Sequence, residues 1–517
     1  LLSFRLLSER IGGSHWYLAM LRDSRAAARS LCHVLSTARW TTERLAERPE
    51  SIAWLDDAGG LIARDPAALR SEVRSLLRRR ALVADDESDL ERQAVEAVHA
   101  VMGVRTRELV RAALADSLDG VDPERTARIL TDATDAVLDG VLSLATGMVV
   151  ASRDGARAVE SGLRGDGTWS GALARHAVIA MGRFGGAEIT YASDADVLFV
   201  HEARPGADRR EAADEAEAVA RLVVRLLSRA QPHSLEVDAD LRPEGRRGPM
   251  SRSPGSYADY YERWSSVWER QALLRARACA GDAGLGRAFE ELVELLRWSP
   301  GGLDDDGLRE IRRLKARMEA ERLPRGTTPA RHLKLGPGGL SDVEWAAQVL
   351  QLRHAARVPG LRTTSTLAAL DAARSAGLLG ASETDDLRSA WLLASRVRAA
   401  NVLGTGRDHG TRVEVLPEGQ REIRLVGRLL GMAPGRERDL EDLYRRRARH
   451  ARRIVERVVF GRICEPRPDP AGPAPRAGGD VGSGTPEPPR DRPGDDRASS
   501  TAEERRTGAT GEDETAG

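Results

Sequence analysis

The chain's 517 residues, 41% hydrophobic and 31% charged with only 4% aromatics, supply apolar material for two or three domains and exclude a single small binding module. Lys plus Arg equal Asp plus Glu at 79 each, which removes the global basic field on which non-specific nucleic-acid binding depends. Cys32, Cys279 and Cys464 are odd in number and far apart, against a disulfide framework or a Cys-based metal site.

The compartment therefore reads as reducing cytosol. The cations are almost all arginine, with Lys315 and Lys334 the only lysines and Asn401 the only asparagine, the coding bias of a GC-rich genome. No stretch of about 18 apolar residues is read, so no membrane is expected. The opening Leu1-Leu2-Ser3 leads to the expectation of a fragment or processed chain.

From Leu1 to about Val150 apolar residues recur at helical spacing, as in Val110, Ala113, Leu114 and Leu118, and Asp122-Pro123 marks a helix start. At His176 the character changes. Ala177-Val178-Ile179-Ala180-Met181 is a continuous apolar run of the buried-strand kind, and Val197-Leu198-Phe199-Val200 follows. A helix between Asp214 and Ala230 then leads into an alternating segment from Leu235 to Leu241. Strand, loop, strand, helix, strand is an α/β unit. Beyond Pro243 the pattern is helical through Gly461, with the segment Trp268 to Arg277 read as helix; after Cys464 the composition predicts a disordered tail.

The chemistry-bearing stretch runs from Met181-Gly182-Arg183-Phe184-Gly185-Gly186 to Ser193-Asp194-Ala195-Asp196. On a strand, Asp194 and Asp196 would point to one side about 6.6 Å apart, repelling by roughly 2.5 kcal/mol at an effective dielectric of about 20. A divalent cation such as Mg²⁺, with hard oxygen ligands and substrate phosphates, answers that repulsion. In Leu235 to Arg242 the apolar Leu235, Val237, Ala239 and Leu241 share one face, and Glu236, Asp238, Asp240 and Arg242 the other. If the two strands are neighbours, Asp238 would complete a three-carboxylate cage, and Arg242 is available to a phosphate. Solvated strand ends are the bland reading. Gly185 and Gly186 suit backbone contact with a phosphate chain, or equally a plain tight turn. Neither a Walker Gly-Lys-Ser/Thr nor a Rossmann Gly-x-Gly-x-x-Gly is present.

Diglycine, an Asp-x-Asp strand and a later strand Asp resemble the DNA polymerase β nucleotidyltransferase superfamily. More closely, Gly182-x-x-Gly185-Gly186-x-Glu188, Ser193-Asp194-x-Asp196 and Val237-Asp238-x-x-Leu241-Arg242-Pro243 resemble glutamine synthetase adenylyltransferases. The likeness continues in Tyr261-Glu262-Arg263-Trp264, in Trp268 to Arg277, in His332 to Trp345 and in Arg362-Thr363-Thr364-Ser365-Thr366-Leu367. Arg183 stands where many relatives carry lysine, and Asp240 where many carry arginine.

The resemblance implies a mainly α protein with an α/β core: a helical linker region over 1–85, a nucleotidyltransferase domain over 86–298 with its catalytic core about 171–250, a helical regulatory domain over 299–464, and the tail over 465–517. It implies a cytoplasmic, Mg²⁺-dependent transferase that moves AMP from ATP to a tyrosine of glutamine synthetase, with glutamine and the PII signal protein as regulators. Asp194, Asp196 and Asp238 are the implied catalytic and metal residues, Asp238 being the member that matches the family pattern. Gly185, Gly186, Ser193, Arg242 and Lys334 are the implied ATP and phosphate contacts. Phosphorolytic removal of AMP, and a regulatory scaffold without catalysis, are the competing readings.

Several weaker signals have structural readings beside functional ones. Ser341-Asp342-Val343-Glu344 has the form of a capping box, Arg275 and Arg277 are candidate nucleotide contacts or solvated helix charges, and Glu188 is read as orienting the loop. The Arg-rich segment Tyr444 to Arg457 reads as a packed helix with a charged outer face. No His or Cys cluster indicates zinc, and Trp16, Trp264, Trp268 and Trp345 are read as core.

Overall fold

The computed structural model describes residues 2–79, 87–154, 171–230 and 235–462; the tail expected after Cys464 lies outside them. Leu1–Cys464 forms one compact unit, and a continuous set of buried apolar side chains runs from Leu7 to Val459.

Two long helices, Glu87–Asp119 and Pro123–Asp154, form a hairpin. The turn is encoded locally: Gly120 takes a left-handed φ of 88°, Asp122 accepts hydrogen bonds from the N–H groups of Glu124 and Arg125, and Pro123 opens the next helix without wasting a donor. The segment Pro123–Arg153 is apolar and long enough by composition to cross a bilayer, contrary to the expectation that no such stretch exists, but 83% of its most apolar 18-residue window is buried within the fold. It is a core helix.

The α/β unit follows the expected order. Strand β1 spans Ala174–Ala180 and β2 Ala195–Ala203; the helix Arg209–Arg229 returns the chain to β3 at Val237–Asp238. Strands β4 (Ser251–Arg252) and β5 (Arg277–Gly281) complete a mixed sheet ordered β3-β2-β1-β5, with β4 also paired to β2. β1 runs antiparallel to β2 and β5, whereas β2 runs parallel to β3 and β4.

Alternation along the strands assigns the two faces of the sheet. Val178, Ala180, Val197 and Phe199 join Val219, Val223 and Leu226 of the helix Arg209–Arg229 in the main core. Ala177, Ile179, Leu198 and Val200 pack on the opposite side with Tyr257, Tyr261, Phe289 and Val293. Those residues come from the helices Pro254–Trp264 and Ala283–Arg297. The sheet is covered on both faces, so its strands read as unbroken apolar runs.

Three expectations are corrected. The segment Leu235 to Leu241 makes only a two-residue strand, because Asp238 Oδ1 accepts from Asp240 N–H and Arg242 N–H bonds to Ala239 O, turning the chain. The helix expected to reach Arg277 stops at Leu273, and Arg277 opens β5. Of the four tryptophans read as core, Trp345 is buried, whereas Trp16, Trp264 and Trp268 are exposed. The Arg-rich segment is a helix, Asp439–Val458, that buries Leu440, Tyr444, Ala448, Ala451, Ile454, Val455 and Val458, as its periodicity requires.

Phe289 is fully buried and meets Tyr257 edge to face at 5.0 Å between ring centroids. Phe289→Ala is expected to destabilise the folded unit by about 3–5 kcal/mol. Urea denaturation followed by circular dichroism measures this, and an unchanged midpoint would show that the second sheet face contributes little.

Candidate active site

The site is built at the end of β1 and the start of β2. Met181 N–H donates to Asp196 O at 2.8 Å, and Gly182 follows with a φ of +52°. A Cβ at Gly182 would lie 2.1 Å from Asp196 Oδ2. Glycine is required there twice over, for the left-handed backbone and for the close approach of chain to carboxylate.

Asp194 lies one residue before β2, not on it as expected, and is exposed. The turn that delivers it is held by Ser193, whose Oγ accepts from Thr190 N–H at 2.9 Å and whose own N–H returns to Thr190 O at 3.1 Å. Tyr191 anchors the same turn by donating its hydroxyl to the buried Asp116 at 2.9 Å. Asp238 arrives through the parallel pairing of β3 with β2, in which it stands opposite Asp196.

The electrostatics single out Asp196. Burial, followed by the charges of Asp194 and Asp238, pushes its carboxyl up to about 7, with Lys334 opposing. Asp240 is turned away into an ion pair with Arg246 at 2.6 Å and lies 3.5 Å from Arg242. Asp238 is thus the third carboxylate that acts on Asp196. Lys334 is exposed on its loop and makes no ion pair among the described residues, leaving its ammonium to face the carboxylates' field and, when present, a substrate's.

The other implied phosphate contacts are engaged elsewhere. Gly185 and Gly186 donate their N–H groups to Met181 O and Gly182 O inside a short helix, Gly182–Gly185, and its cap. A Cβ at Gly185 would sit 1.9 Å from Arg275 O, and one at Gly186 2.4 Å from Arg275 Nη1; close packing accounts for both glycines. The buried Arg242 guanidinium donates to Ala239 O at 2.8 Å and Gly248 O at 3.2 Å, holding the turn after β3.

Sequence reasoning missed the buried charge network behind the site. Glu188 pairs with Arg275 at 3.0 Å and accepts from Thr366 Oγ1 at 2.8 Å, and Arg275 also reaches Thr364 O. Arg183 pairs with Glu344 at 2.6 Å. Glu344 is therefore not part of a capping box; the helix Leu340–His354 starts at Gly339 without a side-chain cap, and Asp342 instead binds Gly338 N–H, Lys315 and Arg452. The motif segments Gly182 to Glu188, Trp268 to Arg277, His332 to Trp345 and Arg362 to Leu367 all contribute to this contact zone, which was the available signal.

Among the described residues no set of three His, Cys, Asp or Glu side chains converges tightly enough to hold a metal ion as placed. The donor chemistry nonetheless suits one: Asp194, Asp196 and Asp238 are hard oxygen donors whose mutual repulsion a divalent cation would relieve.

A mainly helical protein around an α/β core, with carboxylates gathered where two strands begin, defines the class. Residues 28–292 match the model of the glutamate-ammonia ligase adenylyltransferase family, and the chain belongs to that family. Residues 309–459 match the GlnD PII-uridylyltransferase model. Three relatives are named bifunctional glutamine synthetase adenylyltransferase/adenylyl-removing enzyme. The one from Streptomyces coelicolor is 49% identical over 89% of this chain and 44% of its own length. That from Streptomyces avermitilis is 47% identical over 89% and 45%, and that from Leifsonia xyli subsp. xyli 43% identical over 89% and 42%. The chain thus spans a little under half the length of these relatives.

Because the Asp196 carboxyl titrates near 7 in the folded protein and from 3.8 when unperturbed, its contribution to stability is fully present below about pH 4 and is lost as pH rises through 7. Asp196→Asn is therefore expected to raise the metal-free melting temperature by several degrees at pH 8 and scarcely at pH 4. Equal increments at the two pH values in differential scanning calorimetry would refute the assignment.

Proposed function

We propose that this chain transfers AMP from ATP to a tyrosine hydroxyl of glutamine synthetase, releasing pyrophosphate. The observation that carries the reading is Asp196, half-buried beside Asp194 and Asp238 at a strand start, in a chain of the adenylyltransferase family. Asp194, Asp196 and Asp238 would hold Mg²⁺, which when bound supplies charge neutralisation and a lower cost of forming the tyrosinate. Gly182, having no Cβ, leaves the Asp196 carboxylate its space. Lys334 adds an exposed positive charge, felt at Asp196, that favours the triphosphate.

In this reading 86–298 is the nucleotidyltransferase domain, joined by a helical linker over 1–85, and 299–464 is a regulatory helical domain. The match of residues 309–459 to a PII-uridylyltransferase model supports a regulatory contact with PII signal protein, with glutamine as the small-molecule signal and the cytoplasm as the location. Phosphorolytic removal of AMP is the second reading, since the relatives' printed name includes it and the same carboxylates serve either direction.

The test is incubation of the chain with unmodified glutamine synthetase, Mg²⁺ and α-labelled ATP, and separately with adenylylated glutamine synthetase and phosphate. Label on the acceptor is expected in the first reaction. ADP release in the second, with no label transferred in the first, would reverse the direction.

Two substitution series bear on the residues. Asp194→Asn and Asp196→Asn are each expected to lower turnover at least about 100-fold, roughly 3 kcal/mol, with the circular dichroism spectrum unchanged; near-normal rates at saturating Mg²⁺ would remove the carboxylates from the chemistry. Asp238→Asn should cost far more activity than Asp240→Asn, because Asp240 is occupied by Arg246. The opposite ranking in initial-rate assays would move the third ligand to Asp240.

A further inference from the structure

The far end of the same sheet holds a cavity of about 640 Å³ that shares no residue with the carboxylate site. It opens where β1 begins and β5 ends, so β1 separates it from Gly182 by about 20 Å of extended chain. Its lining includes five arginines against three carboxylates, and the carboxylates are already engaged. Asp139 binds Arg74 at 2.9 Å and accepts from Gly281 N–H. Asp282 caps the helix Ala283–Arg297 by accepting from Leu285 N–H, and Glu290 accepts from Ala278 N–H at 2.7 Å.

The arginines divide into two groups. Arg70, Arg74 and Arg175 have partners, in Cys279 O, Asp139 and Glu202 respectively. Arg204 and Arg287 have no side-chain hydrogen bond or ion pair among the described residues, and Arg204 Nε is shielded from solvent without an acceptor. A shielded guanidinium N–H with no acceptor is costly unless an anion completes it. The first turn of the helix Ala283–Arg297 places Ala283 and Gly284 on the cavity wall, its dipole already met by the Asp282 cap. Leu142, Ala172 and Ala280 add apolar wall, a surface for the carbon frame of a ligand, beside the polar Ser143, Thr146 and His176. The volume far exceeds that of a bare phosphate ion and falls in the range of small-metabolite sites.

We propose that this cavity is a second binding site, for a small organic phosphate, held by the guanidinium groups of Arg204 and Arg287 on its wall. It is separate from the nucleotide site and does not depend on the direction of AMP transfer.

The test uses the full chain in EDTA, which suppresses metal-dependent nucleotide binding, with fructose 1,6-bisphosphate as the probe and citrate at matched ionic strength as the carboxylate arm. The bisphosphate is expected to raise the melting temperature of the unsubstituted chain by at least about 3 °C at saturation, through mass-action stabilisation of the folded state. Arg204→Ala/Arg287→Ala should lose most of that shift, whereas Asp196→Asn and Arg263→Ala should keep it. Arg287→Glu, at an exposed position, gives the same readout if the double substitution perturbs folding. No shift with the bisphosphate, a shift with citrate alone, or a full shift in the arginine variants would overturn the proposal.

Discussion

The structure depends on the pairing of buried charge. A carboxylate withdrawn from water is stable as an anion only if a cation and hydrogen bonds replace the solvent. Asp116 has Arg125 and the hydroxyls of Thr126 and Tyr191, Asp135 has Arg277, Glu215 has Arg153, and Asp342 has Lys315 and Arg452. Asp196 is treated differently. It is surrounded by like charge, with only the exposed Lys334 in opposition. The contrast separates carboxylates that hold helices and strands together from one whose charge is left to be answered by what binds.

The same rule explains how the α/β core meets the C-terminal helices. Arg183 on the short helix after β1 and Glu188 in the loop that follows it reach Glu344 and Thr366, while Arg275 closes the arrangement from the segment ahead of β5. Segments separated by more than 150 residues therefore share one buried network directly behind Gly185 and Gly186. Breaking one partner would leave an uncompensated charge, which costs more than the pair contributes. Matches to two different families, over 28–292 and 309–459, thus meet across an interface made of ions and not of apolar surface alone.

Much of this was legible in sequence, and the parts that were not have physical causes. β1, β2 and the helix Arg209–Arg229 carry strong periodicity and stand close to where it placed them. β3 was overread because alternation continues past Asp238, but the backbone turns once Asp238 Oδ1 accepts from Asp240 N–H. β5 was missed because Arg277-Ala278-Cys279-Ala280-Gly281 is small and weakly strand-forming, and its place is set by pairing with β1, including the irregular register at Val178 and Ile179. At the site, Asp196 and its two carboxylate neighbours follow from the motif, whereas the engagement of Gly185, Gly186 and Arg242 with local backbone depends on chain paths that no spacing rule encodes. Residue type alone puts the two tryptophans of the Tyr261 to Arg277 stretch in the core, but Trp264 and Trp268 lie on the outside of the helices whose inner faces are Tyr257, Tyr261 and Leu273.

The contact between Gly182 and Asp196 also constrains the protein's history. With a Cβ at position 182 falling 2.1 Å from the carboxylate oxygen, the two positions do not vary independently: a side chain at 182 forces the Asp196 carboxylate out of its place. Shortening residue 196 would remove the steric half of that constraint, leaving the left-handed backbone as the weaker remainder. The pair is epistatic and the order of change is directional. A lineage that abandons the carboxylate chemistry would lose Asp196 first and only afterwards accumulate other residues at 182, so the state of the glycine records whether that loss is recent or old.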